Sequence, residues 1–274
     1  EQILALFNNR TDLIVSQETN PNELWNVSIT PNDGFEDGAP ASSNGVLILA
    51  PSNTPPSVSS LILNTTDVSR NDTNVNLTLY ITASDPDGDS VKNITNWFVN
   101  GTSITVLNMP FEGINRTTIN NAWDYSGMAN DGTEVGPPWW NATGGFDGKG
   151  TYYYNGSISY INIIDDTSLD FNSTAERFTV SLWAKHVAPT RESYDTMLSK
   201  GSSGNCAHNY ALMLPGTSGR PGFGINNKSG CSSQQYTTDS AAVPTLNANQ
   251  WYHIVGRYNG TRIALFVDGT ERAS

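Results

Sequence analysis

The chain has 274 residues, of which 37% are hydrophobic, so it can form one large or two to three small folded domains. Its 14 Lys and Arg against 26 Asp and Glu give a formal net charge of -12. This balance excludes nucleic acid and anionic lipid as expected partners, because both are bound by clusters of basic side chains. No apolar run reaches the length of a membrane span, so we expect no membrane insertion in this segment.

The first fifty residues read as short strands and turns. Residues 1–7 (EQILALF) carry the one pattern with helical periodicity, and they are too few to form a stable helix alone. Alternation predicts strands at 13–15, 24–30 and 46–50. The Pro-rich residues 51–56 cannot continue a central strand, so they predict a linker and a domain boundary.

Beyond the linker, strands are predicted at 58–63, 75–83 and 94–99. From Val106 onward the sequence changes to longer, aromatic-rich strands, which begin with residues 106–113. Residues 250–269 then predict a β-hairpin, because residues 251–256 alternate, Asn259-Gly260 makes a turn, and residues 263–268 return before a second Asp-Gly turn. We therefore expect an all-β protein whose last hairpin leaves an open sheet edge.

Acidic turns are the strongest candidates for a metal site. Asp85, Asp87 and Asp89 alternate in a DPDGD loop, and such carboxylates can converge on calcium, which takes six to eight oxygen ligands. In a seven-strand sandwich this loop would lie at the same pole as a second acidic loop, here that of a neighbouring unit. The candidate ligands in that loop are Asn32, Asp33, Glu36 and Asp37. A hydrophilic turn without bound metal explains the same residues equally well.

A third, weaker calcium candidate combines Asp124, Asn130 and Asp131, for which simple turn formation is the favoured interpretation. A set of aromatic residues could stack on sugar rings, but packing in the core and across strands is the favoured interpretation. Those aromatic residues are Trp139, Trp140, Tyr152, Tyr153, Tyr154 and Tyr160.

Two features predict an extracellular location, on a cell surface or in a secreted filament. Cys206 and Cys231 lack the spacing of a metal site and predict a disulfide, which would stabilise the fold by roughly 3–4 kcal/mol in an oxidising compartment. Thirteen Asn-x-Ser/Thr sequons, about twice the chance number, predict N-glycosylation. They are Asn9, Asn26, Asn64, Asn71, Asn76, Asn93, Asn100, Asn115, Asn141, Asn155, Asn172, Asn227 and Asn259.

Catalysis is not expected from this sequence. A glycoside hydrolase of sandwich fold requires a strand with converging carboxylates, and no such strand is recognisable in the sequence. Nucleophile and metalloprotease motifs are not recognisable either. His186, His208 and His253 are scattered, and His253 is interpreted as a packed or edge residue. We expect no catalytic cofactor.

Two resemblances follow from these residues. WNVSITPNDGFEDGAPASSNGVLI and LYITASDPDGDSVKNITNWFVNG resemble the immunoglobulin-like, cadherin-like or PKD-like modules of archaeal and bacterial surface proteins. Residues 106–274 resemble a laminin-G-like, concanavalin A-like jelly roll, through segments 124–132, 155–161 and 168–171 and the WYHI and FVDG of the terminal hairpin. Many members of the resembled family carry Asp-Gly where this chain has Asn155-Gly156, which weakens a calcium site there.

The resemblance implies a domain order. Residues 1–50 would close a preceding laminin-G-like domain and an immunoglobulin-like module, and EQILALF resembles the closing segment of such a domain. Residues 57–105 would open a second module, and residues 106–274 would form a jelly roll without its last strands. The fold would then be incomplete at both ends, as in one register of a repeating array.

We expect a structural and adhesive repeat unit whose partners are neighbouring copies of itself, joined by β-strand complementation. A calcium-dependent glycan-binding module is the alternative, and an accessory domain of a carbohydrate-active enzyme is a further one.

Overall fold

The computed structural model describes residues 13–50, 52–112, 121–136, 138–156, 158–171, 177–187, 195–201, 208–214, 219–226, 234–237 and 242–274. The segment 1–7 and both cysteines lie outside these residues. The chain divides into two compact units, 1–93 and 94–274. Apart from short 3-10 turns at Ser16–Glu18 and Thr167–Leu169, every regular element of the described residues is a strand, which confirms the predicted all-β class. No described helix is long and apolar enough to span a membrane.

Unit one contains three separate antiparallel strand pairs. Its strands are β1 (Leu24–Trp25), β2 (Ser28–Ile29), β3 (Ala41–Ser42), β4 (Val46–Leu47), β5 (Ser57–Thr65) and β6 (Leu77–Ser84). β1 pairs with β4, β2 with β3, and β5 with β6. Only the β5–β6 pair is long, and a two-stranded sheet has little independent stability in water.

Two strand predictions in unit one need correction. The strand predicted at 13–15 is wrong, because these residues do not pair with another strand and lead instead into the 3-10 turn at Ser16–Glu18. The strand predicted at 24–30 divides at Asn26 and Val27 into β1 and β2. The division arises because the two halves pair with different partners, β4 and β3.

Unit two contains the remaining strands of the described chain. They are β7 (Phe98–Val99), β8 (Thr102–Ser103), β9 (Asn121–Ala122), β10 (Gly132–Val135), β11 (Trp139–Asn141), β12 (Thr151–Tyr153), β13 (Tyr160–Ile163), β14 (Phe178–Lys185), β15 (Asp195–Gly201), β16 (His208–Leu214), β17 (Gly222–Asn226), β18 (Gln234–Thr237), β19 (Trp251–Tyr258), β20 (Ile263–Val267) and β21 (Thr270–Ala273). Two four-stranded sheets, ordered β14-β19-β20-β21 and β15-β16-β17-β18, carry the core. A three-stranded sheet β13-β10-β9 and the pairs β11–β12 and β7–β8 complete the unit.

The hydrophobic core is built from the inward faces of the two four-stranded sheets. Leu212 and Phe223 from one sheet and Ile254 and Leu265 from the other are completely buried in it. Along β19 buried residues alternate with half-buried ones and with the exposed Arg257, as the period of a strand requires. The predicted terminal hairpin is therefore confirmed as β19 and β20, and β21 adds a third strand.

The segment before β9 differs from its prediction. Only β7 forms within 94–99, and the strand predicted at 106–113 is wrong for residues 106–112, which contain no strand. The reason is visible at Asn108, whose backbone N–H donates to the Asp124 carboxylate at 2.8 Å instead of to a neighbouring strand. The backbone is thus satisfied by a side chain rather than by a sheet ladder.

Candidate functional site

The most distinctive surface of unit one is one side of the β5–β6 pair, which we call the apolar face. Residues directly opposite each other in an antiparallel pair lie on the same side of the sheet. The register pairs Leu61 with Ile81 and Leu63 with Leu79, so all four share one side. The apolar residues of this face are Val58, Leu61, Leu63, Leu77, Leu79, Ile81 and Ala83, and the buried Thr65 lies opposite Leu77 on the same side.

A β-bulge at Ser59 extends the apolar face. The register shifts between Val58 and Ser60, which brings Val58 opposite Ala83 and thus onto the side of Ile81. Without that extra residue, Val58 would lie on the opposite side. The bulge therefore aligns a seventh apolar side chain with the other six.

Much of the apolar face is exposed. Leu61 is 65% exposed and Leu63 is 55% exposed, and Val58 and Leu77 are similarly accessible, whereas Leu79, Ile81 and Ala83 are half-buried. The opposite side of the pair is mixed, since Ser60, Asn64 and Thr82 lie there with Ile62 and Tyr80. Exposed apolar surfaces of this kind are typical of interaction sites.

The outer edges of β5 and β6 are also open. The two strands pair with each other and with no further strand in the described part of the chain. Each outer edge therefore presents a row of backbone N–H and C=O groups that can accept another strand.

The shorter strands of unit one show the same exposure. Leu24 and Ile29, on β1 and β2, are about two-thirds exposed, and Val46 and Leu47 of β4 are more than half exposed. Both halves of unit one thus carry apolar side chains that the described residues leave in solvent.

The DPDGD loop uses its carboxylates to hold its own backbone. Asp85 Oδ1 accepts from the backbone N–H of Asp87 at 2.8 Å and of Asp89 at 3.3 Å, and Asp87 Oδ2 accepts from the N–H of Thr54. Gly88 has φ +84°, which closes the turn. The loop is therefore an Asx-type turn tied to the residues before β5.

The acidic loop between β2 and β3 is organised in the same way. Asn32 Nδ2 donates to Asp37 Oδ1 at 2.7 Å, and Asp33 Oδ1 accepts from the N–H groups of Phe35 and Glu36. The N–H of Glu36 is the main cause that holds the pKa of Asp33 below its usual value, followed by that of Phe35. These residues line a shallow, open surface depression.

The third candidate, around Asp124, is a compact hydrogen-bonded turn. Asp124 Oδ1 accepts from the N–H groups of Asn108 and Ser126, at 2.8 and 2.9 Å. Its Oδ2 accepts from Ser126 Oγ at 2.6 Å and from the N–H of Asn130 at 3.0 Å. Four donors therefore occupy this carboxylate, an arrangement that builds a turn.

Asn130 and Asp131 complete the same turn. Asn130 is buried, and its Nδ2 donates to Val106 O at 2.8 Å and to Ser168 Oγ at 2.9 Å. Asp131 Oδ1 accepts from the N–H of Asp124. Within the ranges given above, no three His, Cys, Asp or Glu side chains form a group that could hold a metal ion.

The pleat of the β11–β12 pair divides the aromatic residues into two sets. Trp140 and its partner Tyr152 face inward, where Trp140 Nε1 donates to Phe111 O at 2.8 Å and the Tyr152 hydroxyl donates to Glu134. Trp139 and its partner Tyr153 lie on the opposite side. Their exposed fractions are 65% and 48%.

Tyr154 and Tyr160 lie outside the β11–β12 pair and belong to neither of its two sides. Tyr160 lies on β13, opposite Val135, and is about half exposed. Tyr154 follows β12 with its ring 6.3 Å from that of Tyr152. Desolvation, then the neighbouring Tyr152 and Glu134, raise the pKa of the Tyr154 phenol.

The histidines occupy separate positions. The His253 ring stacks on Trp183 with centroids 5.0 Å apart, and its Nε2 lies 2.8 Å from Ser181 Oγ. The His186 ring contacts the carbonyl oxygen of Leu246 at 2.9 Å. His208 begins β16. His253 is thus packed against neighbouring side chains of the sheet.

Most of the described sequons are accessible. Asn64 and Asn141 are half-buried, and Asn9, Asn115, Asn172 and Asn227 lie outside the described residues. The exposed sequon residues are Asn26, Asn71, Asn76, Asn93, Asn100, Asn155 and Asn259.

One polar cluster was not anticipated from the sequence. Lys200 on β15 contacts the carboxylates of Asp165 and of Asp170, the latter at 3.0 Å, although only 11% of its side chain is exposed. Burial opposes its charge, but hydrogen bonds with Asp165 and Asp170 outweigh burial and raise the pKa of Lys200. The residues lie some 30 positions apart, so the sequence held no local signal for their contact.

Comparison with known proteins identifies one domain. Residues 155–274 match the family model of the concanavalin A-like lectin/glucanases superfamily, so the C-terminal part of the chain is a concanavalin A-like domain. The resemblance predicted for this part of the chain is thereby confirmed. The comparisons with curated proteins and with solved structures found no match.

Proposed function

We propose that this chain is a structural and adhesive extracellular repeat unit of a cell-surface or filament-forming glycoprotein. Neighbouring units associate by β-strand complementation, with a second copy as the partner. The single observation that carries the proposal is the exposed apolar face of β5–β6, flanked by two open strand edges. The chain acts without catalytic residues of its own.

The physical argument concerns both the face and the edges. A two-stranded sheet with one apolar side lowers its free energy when a second sheet covers that side. Added strands also satisfy the outer N–H and C=O groups, as in other cases of strand addition. The exposed strands of residues 24–47 supply apolar side chains of the same kind, so one copy's β1–β4 segment suits another copy's β5–β6 pair. In this arrangement, the two segments are the closing and opening parts of immunoglobulin-like modules.

Contacts between different surfaces of identical copies are heterologous, and they extend into filaments unless the rotation closes a ring. The same geometry applies when the copies are successive repeats of one polypeptide. This property suits a mechanical role at a cell surface.

The test compares two double variants of the full 274-residue chain by sedimentation velocity over a wide concentration range. Leu61→Lys with Leu63→Lys places charges on the apolar face and abolishes association. Ser60→Lys with Ile62→Lys, at the same spacing on the same strand, places the same charges on the opposite side and leaves association unchanged. Equal behaviour of the two variants, or a wild-type chain that remains monomeric throughout, contradicts the proposal.

Carbohydrate binding assisted by calcium is the second candidate, favoured by the concanavalin A-like domain at 155–274. To supply oxygen ligands to a structural ion together with Asp89, Asp85 and Asp87 would have to release the backbone N–H groups from which they accept. A glycan array probed with calcium and with a chelator tests the binding. A thermal unfolding midpoint that is the same in both solutions counts against the ion.

A further inference from the structure

Trp139 and Asn141 lie on the same side of β11. They are two residues apart in one strand, and side chains at that spacing point to the same side, about 7 Å apart. Asn141 begins the sequon Asn141-Ala142-Thr143. The large indole ring of Trp139 is 65% exposed beside this sequon.

Tyr153 widens the exposed aromatic surface. It lies directly opposite Trp139 on β12, where facing Cβ atoms are about 5 Å apart. Thr151 lies opposite Asn141 on the same side. Trp139 and Tyr153 therefore form an aromatic platform next to the sequon, while Trp140 and Tyr152 face inward.

The Asn141 side chain is held in one orientation. Its Oδ1 accepts from the N–H of Thr143 at 3.0 Å. Oδ1 is thus occupied, and the amide nitrogen Nδ2 lies on the other branch of the side chain. Nδ2 is the atom to which an N-linked sugar is attached.

Gly144 lies close to this nitrogen. A Cβ at position 144 would lie 2.7 Å from Asn141 Nδ2, closer than van der Waals contact permits. The φ of Gly144 is outside the left-handed region, so the backbone conformation does not itself require glycine. The missing side chain therefore serves the position of Asn141.

We propose that Asn141 carries an N-linked glycan whose first sugar ring lies over Trp139, with Tyr153 alongside. In the modification, Nδ2 forms a bond to the anomeric carbon of a lipid-linked oligosaccharide, the lipid phosphate leaves, and one amide proton passes to solvent. The aliphatic face of the sugar ring then covers the aromatic platform and removes it from water. This inference rests on the glycosylation in the proposed function, but not on self-association.

The same spacing recurs along the chain. Aromatic residues make up 10% of the sequence, so about one of the thirteen sequons should have an aromatic residue two positions before its Asn. Four do, namely Phe7 before Asn9, Phe98 before Asn100, Trp139 before Asn141 and Tyr153 before Asn155. Phe98 is also exposed, at 59%. The excess supports a pairing of aromatic side chains with attached sugars.

The experiment is a double-mutant cycle on the full chain, produced in a secretory host that attaches N-glycans. Thr143→Ala removes the sequon but keeps the backbone N–H that Asn141 accepts from. Peptide mass spectrometry establishes occupancy of Asn141, and thermal unfolding gives the midpoint. We expect loss of the glycan to lower the midpoint by about 2–4 °C with Trp139 present, and by less than about 1 °C with Trp139→Ala.

Control variants separate sugar contact from general loss of packing. Trp139→Tyr retains an aromatic face and keeps most of the coupling, whereas Trp139→Leu is apolar without a π face and loses it. Trp123→Ala removes another exposed Trp, one that has no sequon Asn two positions after it. Its effect on the midpoint should therefore simply add to that of Thr143→Ala.

Three results would overturn the inference. One is an unmodified Asn141 in a chain whose other sequons are occupied. The second is an equal effect of Thr143→Ala with and without Trp139. The third result has two parts: the unglycosylated chain binds free glycans and loses this binding with Trp139→Ala, and the two substitutions of the cycle have additive effects. That result would assign the platform to an external sugar. Sedimentation of the same proteins reports separately on self-association.

Discussion

Gly256 lies at the middle of β19, directly under the ring of Phe223 in the facing sheet. A Cβ at this position would lie 2.3 Å from Phe223 Cδ2 and 2.4 Å from Cγ. Phe223 is completely buried, with Phe178 packed against it at 6.1 Å between centroids. The ring therefore has no room to move away, and glycine permits the close approach of the two sheets.

Gly256→Ala is expected to destabilise unit two by about 1–3 kcal/mol, because the added methyl group overpacks the core. Chemical denaturation of the variant and the wild type measures the difference. Thr179→Ala, on the exposed side of β14, is the matched control and should change stability little. A Gly256→Ala variant as stable as the control would show that the sheets can separate without cost.

Lys200 provides a second prediction for single residues. Lys200→Met should lower stability by about 1–3 kcal/mol at neutral pH, because it removes charge-assisted hydrogen bonds from a largely buried side chain. The folded pKa of Lys200 is raised above 10.5, so its contribution is complete below that pH and is lost as pH rises through the folded value. The difference in free energy of unfolding between the variant and the wild type should decrease as pH rises through the folded pKa of Lys200.

The exposed Lys185, which lies over the Trp251 ring, gives the control substitution Lys185→Met. Its effect should be smaller than that of Lys200→Met. If the two Lys variants lose equal stability, the Lys200 cluster has no special energetic role.

At the level of elements, the acidic turn of residues 32–37 should respond to pH. The pKa of Asp33 is lowered from 3.8, mainly by the N–H of Glu36, so the turn gains stability above about that pH and loses it as pH falls through the folded value. Hydrogen exchange of the Glu36 amide across this range measures the effect. Asp33→Asn keeps the acceptor oxygen but does not titrate, so pH-independent protection is expected there.

The sequence predicted elements where one period governed a whole strand. β19 was found from alternation, because one side of the strand meets the core and the other does not, and β20 was found as a short apolar run after an Asn-Gly turn. Residues 106–112 were mispredicted because the N–H of Asn108 is satisfied by Asp124, which follows later in the chain. Composition cannot reveal such a distant acceptor.

The candidate site was predictable only in part. Alternation in residues 58–63 and 75–83 predicted two strands, but the apolar face depends on the bulge at Ser59. A bulge shifts register by one residue and carries no sequence signature of its own here. The interpretation of Asp124, Asn130 and Asp131 as a turn agrees with their hydrogen bonds, although the contacts with Val106 and Ser168 were not foreseeable.

For the whole molecule, burial differs sharply between the two units. Unit two contains a core of completely buried side chains between its four-stranded sheets. Among the described residues of unit one, only Val15 and Thr65 are buried. Apolar strand residues are stabilised when another surface covers them, and this difference in burial is why we propose a partner surface for unit one.

Hydrogen exchange of the full chain at increasing protein concentration tests strand complementation most directly. We predict that amides of β5 and β6 become protected as concentration rises, because added strands bond to their outer edges, while the slow exchange of β19 and β20 stays constant. Exchange of β5 and β6 that is independent of concentration would contradict the account.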